Sequence, residues 1–322
     1  MKKRLLAAIF AFSAFVYAES DKNISFEFSS VTDFAYYPKA DYKSGNTHFA
    51  PITGVYDGVE LQETLKADCI IPVPFSDNFL FADNKLILEG ALALTPVSVT
   101  PKAKISFTPV AFLNFSAGAN ISAAWKFLGI KSLACYDPSE GEYVQQTPFK
   151  TYRYLAWFCS TLMFDAAAIW PGDWHHVIAV ASWEINYQGL LNVQNDDELF
   201  KFHSDGGFSK GAGYESNYIL GYQMPSKLSL VGVKLQFTGA MKDYFSDSAY
   251  YSKFDGDFMS INIAGLANYD FDEKNSIVVL VEFGSRRSFA ENHDDLEDEP
   301  LLTKKGREWY FRRIGCSFTH KF

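Results

Sequence analysis

Between Leu113 and Phe127 the apolar side chains fall on every odd position: Leu113, Phe115, Ala117, Ala119, Ile121, Ala123, Trp125 and Phe127. Asn114, Ser116, Gly118, Asn120, Ser122 and Lys126 lie between them, with Ala124 the one apolar exception. Successive side chains of a strand point to opposite faces, so this segment has one apolar face and one polar face. A helix would spread the same residues around its whole circumference. The period recurs in Val231, Val233, Leu235 and Phe237, in Met259, Ile261 and Ile263, and in Ile277, Val279, Val281 and Phe283.

Read along the chain, the pattern predicts strands over 24–37, 57–72, 84–95, 97–108, 113–128, 149–169, 174–190, 214–223, 228–243, 257–270, 275–289 and 307–322. Alternation alone also suits a soluble sandwich. Strand length and the placement of connections separate the two. A tilted membrane strand needs about 9–11 residues for the hydrocarbon, and most of these segments exceed that. The connections near 38–56, 129–148, 191–213, 244–256 and 290–306 are long and polar, whereas those near 108–112, 170–173, 224–227 and 271–274 are short. The stretch 73–83 is intermediate. Short turns at one end and long loops at the other are the asymmetry of outer-membrane barrels, which have even strand numbers. The expectation is therefore all-β: a transmembrane antiparallel up-and-down β-barrel of about 12 strands.

Two places test that reading. The apolar parity flips at Thr95-Pro96, between Leu86, Leu88, Leu92, Leu94 and Val97, Val99, Ala103, Ile105. We read a tight turn there, because one long bulged strand would leave an odd number. The nearly continuous apolar run from Tyr154 to Trp170 could be drawn as a membrane helix. It contains Asp165, however, and a carboxylate near the membrane centre costs roughly 2.5–3.5 kcal/mol on insertion scales. As a strand, it puts Arg153, Thr161 and Asp165 on the inward parity.

The first residues run Lys2, Lys3, Arg4, an apolar stretch from Leu5 to Val16, and then Val16-Tyr17-Ala18 before Glu19. A basic region, a short apolar region and a small residue at the cut are the parts of a secretory signal peptide. Residues 1–18 are thus expected to be cleaved, leaving 19–322 as a single barrel domain in the cell outer membrane. Removing three basic residues from the 29 Lys plus Arg leaves 26 against 38 Asp plus Glu, a net charge of −12. So acidic a balance argues against nucleic acid as a partner, since phosphates demand basic patches.

The final strand carries Ile314, Cys316, Phe318 and Phe322 at even positions, and Phe322 is the last residue. This resembles the C-terminal signature of bacterial outer-membrane β-barrel proteins, an alternating apolar strand ending in Phe. The resemblance implies that Ile314, Phe318 and Phe322 form an assembly signal read by the barrel-assembly machinery, with outer-membrane lipid as the surrounding partner. Trp170 and Trp174, bracketing Pro171-Gly172-Asp173, fit the aromatic girdles of such barrels, as do Trp125 and Trp309 near the other ends of their strands.

Candidate chemistry is sparse. His175 and His176 are adjacent on a strand and point to opposite faces, and no Cys or His spacing matches a zinc site. We expect no metal and no cofactor. Cys69, Cys135, Cys159 and Cys316 are irregularly spaced and read mainly as packing residues. The acid runs Asn195-Asp196-Asp197-Glu198 and Asp294 to Glu299 lack ordered calcium-loop spacing and read as solvated loops. His203-Ser204-Asp205-Gly206-Gly207 resembles the His-x-Ser-Asn-Gly pattern of outer-membrane phospholipases. It lacks the residue between His and Ser and has Asp for Asn, and adjacent His and Ser do not supply triad geometry. The chain is therefore read as not an enzyme, with lipid esterase activity as the lesser alternative.

What remains is the lumen. Inward parity collects Glu60, Lys66, Asp68, Lys104, Lys126, Arg153, Asp165, Glu184, Lys234, Glu282, Arg286 and Arg313 as lining candidates. A polar, mixed-charge interior suits a channel for small hydrophilic solutes. The alternative is a structural or surface-interaction barrel that works through its loops, its lumen filled by paired charges.

Overall fold

The computed structural model describes residues 24–73, 84–193, 199–203, 205–293 and 298–322. The leader, the whole acid run Asn195 to Glu198, residues Asp294 to Glu297 of the second acid run, and Ser204 lie outside them. In chain order the strands are β1 (Ser25–Lys39), β2 (His48–Phe49), β3 (Gly54–Pro72), β4 (Lys85–Thr95), β5 (Ser98–Val110), β6 (Leu113–Ala124), β7 (Leu133–Asp137), β8 (Glu142–Gln145) and β9 (Tyr152–Asp165). They continue with β10 (Val177–Leu191), β11 (Phe200–Phe202), β12 (Asp205–Phe208), β13 (Gly211–Gln223), β14 (Leu228–Ala240), β15 (Ser260–Asp270), β16 (Asn275–Phe289) and β17 (Lys304–Lys321).

Twelve of these pair with their neighbours in the order β1-β3-β4-β5-β6-β9-β10-β13-β14-β15-β16-β17, and β17 returns to β1. Every pairing in this ring is antiparallel. The chain is a closed, twelve-stranded up-and-down barrel, and closure leaves no edge to aggregate. The parity flip at Thr95-Pro96 is a two-residue turn: Thr95 faces Ser98, and their hydroxyls lie 2.8 Å apart.

Large apolar side chains of one parity stay exposed outward on every wall, among them Leu61, Leu65, Phe158, Leu220, Val233 and Ile263. Such a belt faces lipid, which has no polar groups to offer a backbone, and the closed ladder satisfies every strand internally. Trp170 and Trp174 stand out at the short-turn end, 68% and 57% exposed. Ile314 and Phe318 are also exposed outward, and Phe322, just past β17, donates its backbone N–H to the Phe28 carbonyl.

Inside, Gly118 and Trp157 face each other across β6 and β9. A Cβ on Gly118 would come within 2.5 Å of the indole and 2.9 Å of the Ala103 carbonyl oxygen. Gly118→Ala is therefore expected to destabilise the barrel by about 1–3 kcal/mol through overpacking. The temperature at which the folded, fast-migrating gel band disappears would report the loss.

The sequence reading missed a second, smaller sheet. β7 and β8, from the β6–β9 connection, pair with β11 and β12, from the β10–β13 connection, in the order β12-β11-β7-β8. Each of its faces carries a buried apolar cluster. Tyr136, Tyr143 and Leu199 pack with Phe245, Tyr251 and Phe254 from the β14–β15 connection and with Phe289 at the end of β16. Leu133, Cys135 and Phe200 pack with Ala124 and Leu190 of the barrel wall. The apolar core of this protein thus sits in a cap over the loop end, not within the barrel. None of the four cysteines is in a disulfide.

Candidate functional site

The lumen is built in registered rows. Glu27, Asp68, Glu89 and Lys104 stand side by side across β1, β3, β4 and β5, and the Lys104 ammonium contacts Glu89 at 3.0 Å. One step toward the loops, Lys66 and Lys102 flank Ala91. Across the barrel, Glu184 and Glu215 face each other between β10 and β13. Each carboxylate accepts from an asparagine two residues along its own strand, Asn186 at 3.1 Å and Asn217 at 2.8 Å. Like charges directly opposite are unfavourable unless solvated or held by donors. Lys234 lies on β14, and among the described residues it forms no ion pair.

Glu282 is the most enclosed of the lining charges, 5% exposed. It pairs with Arg313, but the next pair is Phe283 with Phe311, so Arg312 is an extra residue in β17. This β-bulge turns two successive side chains to the same face. Arg312 donates to Glu282 Oε1 at 2.7 Å and Arg313 to Oε2 at 3.1 Å. Strict parity had placed Arg312 toward lipid; the bulge brings it inside, a bend no alternation rule reveals. Tyr37 beside them donates to Glu60 at 2.7 Å.

Arg286 lies higher, in the extension of β16 and β17 toward the loops. It donates to Glu308 and to the carbonyls of Ala40 and Asp41, and its guanidinium lies 3.6 Å from the Tyr42 ring centroid. Burial pushes the Tyr42 phenol well above its ordinary pKa. Glu308 also accepts from His48 of β2, which runs parallel to β17. Arg286 thus anchors the first loop. Two other lining candidates sit at the ends. Lys126 follows β6 in the loop and is exposed. Asp165 ends β9 at the short-turn rim, where it caps the turn at Ala167 and contacts His176 at 2.6 Å.

The cap reaches into this space. β9 and β17 are six strands apart in a ring of twelve, hence on opposite walls. Arg153 of β9 lies over the rings of Phe202 and Phe208, 4.8 and 5.7 Å from their centroids, and donates to Gln188 at 2.8 Å. Asp205, the cross-strand partner of Phe202 in the same hairpin, lies 3.6 Å from Arg312 of β17. The β11–β12 hairpin therefore bridges the mouth from wall to wall. A third tie joins His203 Nε2 to Ser98 Oγ of β5, 2.8 Å apart. Ser98 is 1% exposed and also bonded to Thr95, which makes it a fastening rather than an accessible nucleophile. Burial lowers the pKa of His203, with Arg153 acting in the same sense against Glu60 and Asp205.

Sequence parity brought the wall residues together, but the bridging hairpin had no periodic signal. Its only mark was the run His203 to Gly207, which invited a different chemistry. Among the described residues, no group of three His, Cys, Asp or Glu side chains is placed to hold a metal ion.

No family model matches the sequence, and no curated protein matches it either. Solved structures do resemble it. The β-domain of the Bordetella autotransporter BrkA aligns over 92% of this chain and all of that one, at 7% identity and a TM-score of 0.45. The NanC porin aligns over 91% and 100%, at 8% identity and a TM-score of 0.40. LpxR from Salmonella typhimurium aligns over 91% and 100%, at 11% identity and a TM-score of 0.38. What the architecture itself establishes is an outer-membrane-type β-barrel.

Proposed function

We propose that this protein is a conduit for small hydrophilic solutes across the bacterial outer membrane, with the β11–β12 hairpin as a gate at its loop end. The observation that carries the reading is the state of the lining groups. Lys66, Asp68, Lys102, Glu184, Glu215 and Lys234 keep partial solvent access rather than packing into a dry core. Buried oxygen atoms of Asp68, Asn120 and Asn217 find no protein partner, as suits a wall that water completes. Opposed charges in such a space orient polar solutes. The same reading takes residues 1–18 as an export signal and Ile314, Phe318 and Phe322 as the contacts offered to the assembly machinery. It assigns the chain no catalysis.

Recording from the refolded protein in a planar lipid bilayer tests the proposal. Brief, infrequent steps from the intact chain and steady openings after Phe200–Phe208 is replaced by a short Gly-Ser linker are expected. A correctly folded barrel that stays silent in both forms would sink the conduit. It would also favour a second reading, in which the folded cap with its own buried core is a surface for recognition.

The gate should respond to acid. His203, its pKa lowered by burial, faces Glu60 of β3, Arg153 of β9, Ser98 of β5 and Asp205 of its own hairpin. Its pKa is depressed in the docked state, so docking is fully favoured above the ordinary value of about 6.5 and weakens as pH falls through the depressed one. Open probability is expected to rise on acidification below about pH 6. His203→Gln, which cannot take up the proton, should flatten that response.

A further inference from the structure

Outside the barrel, at the loop end, lies a cavity of about 410 Å³ whose wall includes Thr47, Phe258, Lys304, Lys305 and Arg307. Its depth relative to the membrane follows from register. Phe311 and Trp309 share the outward parity of β17, and Trp309 sits 6.5 Å from the ring of Phe49, which is 75% exposed. Outward aromatic pairs of this kind mark the headgroup boundary of a barrel. Arg307 is the next outward residue above Trp309, which puts it at the level of lipid headgroups, outside the lumen. Lys305 is the extra residue of a second bulge in β17, where Ser288 pairs with Gly306 and Phe289 with Lys304, and it lines the same cavity.

Their chemistry suits an anion. Lys304 is paired with Asp255 at 2.7 Å, but among the described residues neither Lys305 nor Arg307 has a carboxylate within ion-pair distance. The Arg307 guanidinium is held flat, 4.5 Å from the Phe258 ring centroid and 5.9 Å from that of Trp309, with one nitrogen donating to Ser285. A guanidinium fixed in this way keeps its remaining donors aligned for two oxygens at once. Asp255 and Asp257 also line the cavity, two carboxylates against three basic side chains, and the hydrogen bond between them raises the Asp257 pKa. Gly306 admits the first loop: a Cβ there would lie 2.6 Å from the backbone of Asn46 and Thr47, which closes one side.

We propose that this cavity is a binding site for the phosphate of an anionic membrane lipid, held by Arg307 and Lys305. The barrel would then be tethered at one side of its rim to anionic headgroups, independently of what its lumen conducts. The ligand chemistry is shared with free phosphate, and depth in the membrane is what favours the lipid.

The full barrel in detergent would be titrated with short-chain phosphatidic acid, phosphatidylcholine and inorganic phosphate, with bound copies counted by native mass spectrometry. Phosphatidic acid is expected to bind at one site, phosphatidylcholine not to saturate it, and inorganic phosphate to compete only weakly. Lys305→Gln with Arg307→Gln should weaken phosphatidic acid binding by about tenfold or more, the effect of losing charge-assisted contacts. Lys227→Gln with Lys274→Gln, at the opposite rim, should leave it unchanged. Lys305→Gln alone, at an exposed position, covers the case in which the double variant folds poorly. Phosphatidic acid binding by the Lys305→Gln protein and the Lys305→Gln, Arg307→Gln protein equal to that of the parent would overturn the site. Inorganic phosphate binding as tightly as phosphatidic acid would overturn its assignment to lipid.

Discussion

Glu282→Ala is expected to lower the stability of the barrel by up to about 3–5 kcal/mol, because it leaves two half-buried arginines without their shared, buried counter-charge. The bulge in β17 makes this position unusual. Arg312 and Arg313 are adjacent in the chain and yet converge on one carboxylate, so neither can turn to lipid when that carboxylate is gone. Asp205 reaches Arg312 as well, but its side chain is 63% exposed, and so solvated a partner compensates little. Glu282→Gln keeps the shape and one acceptor and should fall between the parent and the alanine variant. Arg312→Met with Glu282→Met removes one charge of each sign and should recover part of the loss. Unfolding in urea from lipid vesicles, followed by tryptophan emission, would rank the four proteins. Equal midpoints for the parent and Glu282→Ala would show that the cluster is solvated and contributes nothing.

The second large effect concerns the hairpin. Arg153 holds two aromatic rings, each contact worth about 0.5–2 kcal/mol. Arg153→Ala should therefore shift the balance between docked and released hairpin by about tenfold, since 1.4 kcal/mol is a factor of ten in a population. Adding Asp205→Asn, at the opposite wall, should contribute less, because that bridge is long and partly exposed. The readout is open probability in a planar bilayer at fixed voltage and neutral pH. The shift should appear in how often the pore opens, with the size of the open step unchanged. A change in step size without a change in frequency would mean that Arg153 lines the conducting path and does not fasten the gate.

Most of the ring was legible in the residues, for a reason specific to membranes. Lipid on one side and polar lumen on the other impose a strict two-residue period, and long strands repeat it often enough to be read. Expected ends fell within a few residues of the observed ones on most strands; 84–95 against Lys85–Thr95 and 275–289 against Asn275–Phe289 are examples. The segments drawn too long, 149–169 and 113–128, ran on into apolar residues of turns and loops that no longer alternate across a wall.

The cap was illegible for the complementary reason. Leu133, Ala134, Cys135 and Tyr136 are all buried, so the strand they form has no polar face and no period. Its partners come from a different loop, and only the fold brings them together. Arg312 was hidden by one inserted residue, after which parity points the wrong way. The pair of His203 with Ser98 joins positions 105 residues apart, beyond the reach of any local pattern.

The seam where the ring closes has its own consequence. β1 meets β17 only from Ser29 to Tyr36, whereas its pairing with β3 runs from Ser25 to Lys39. Above that short stretch β17 is met by the two residues of β2. The staves of this barrel are thus fastened unevenly, and the junction of first and last is secured partly by a loop. Under heat or a pulling force the cylinder should come apart there first, peeling from the loop end downward. The wall between β3 and β16 would be the last to flatten.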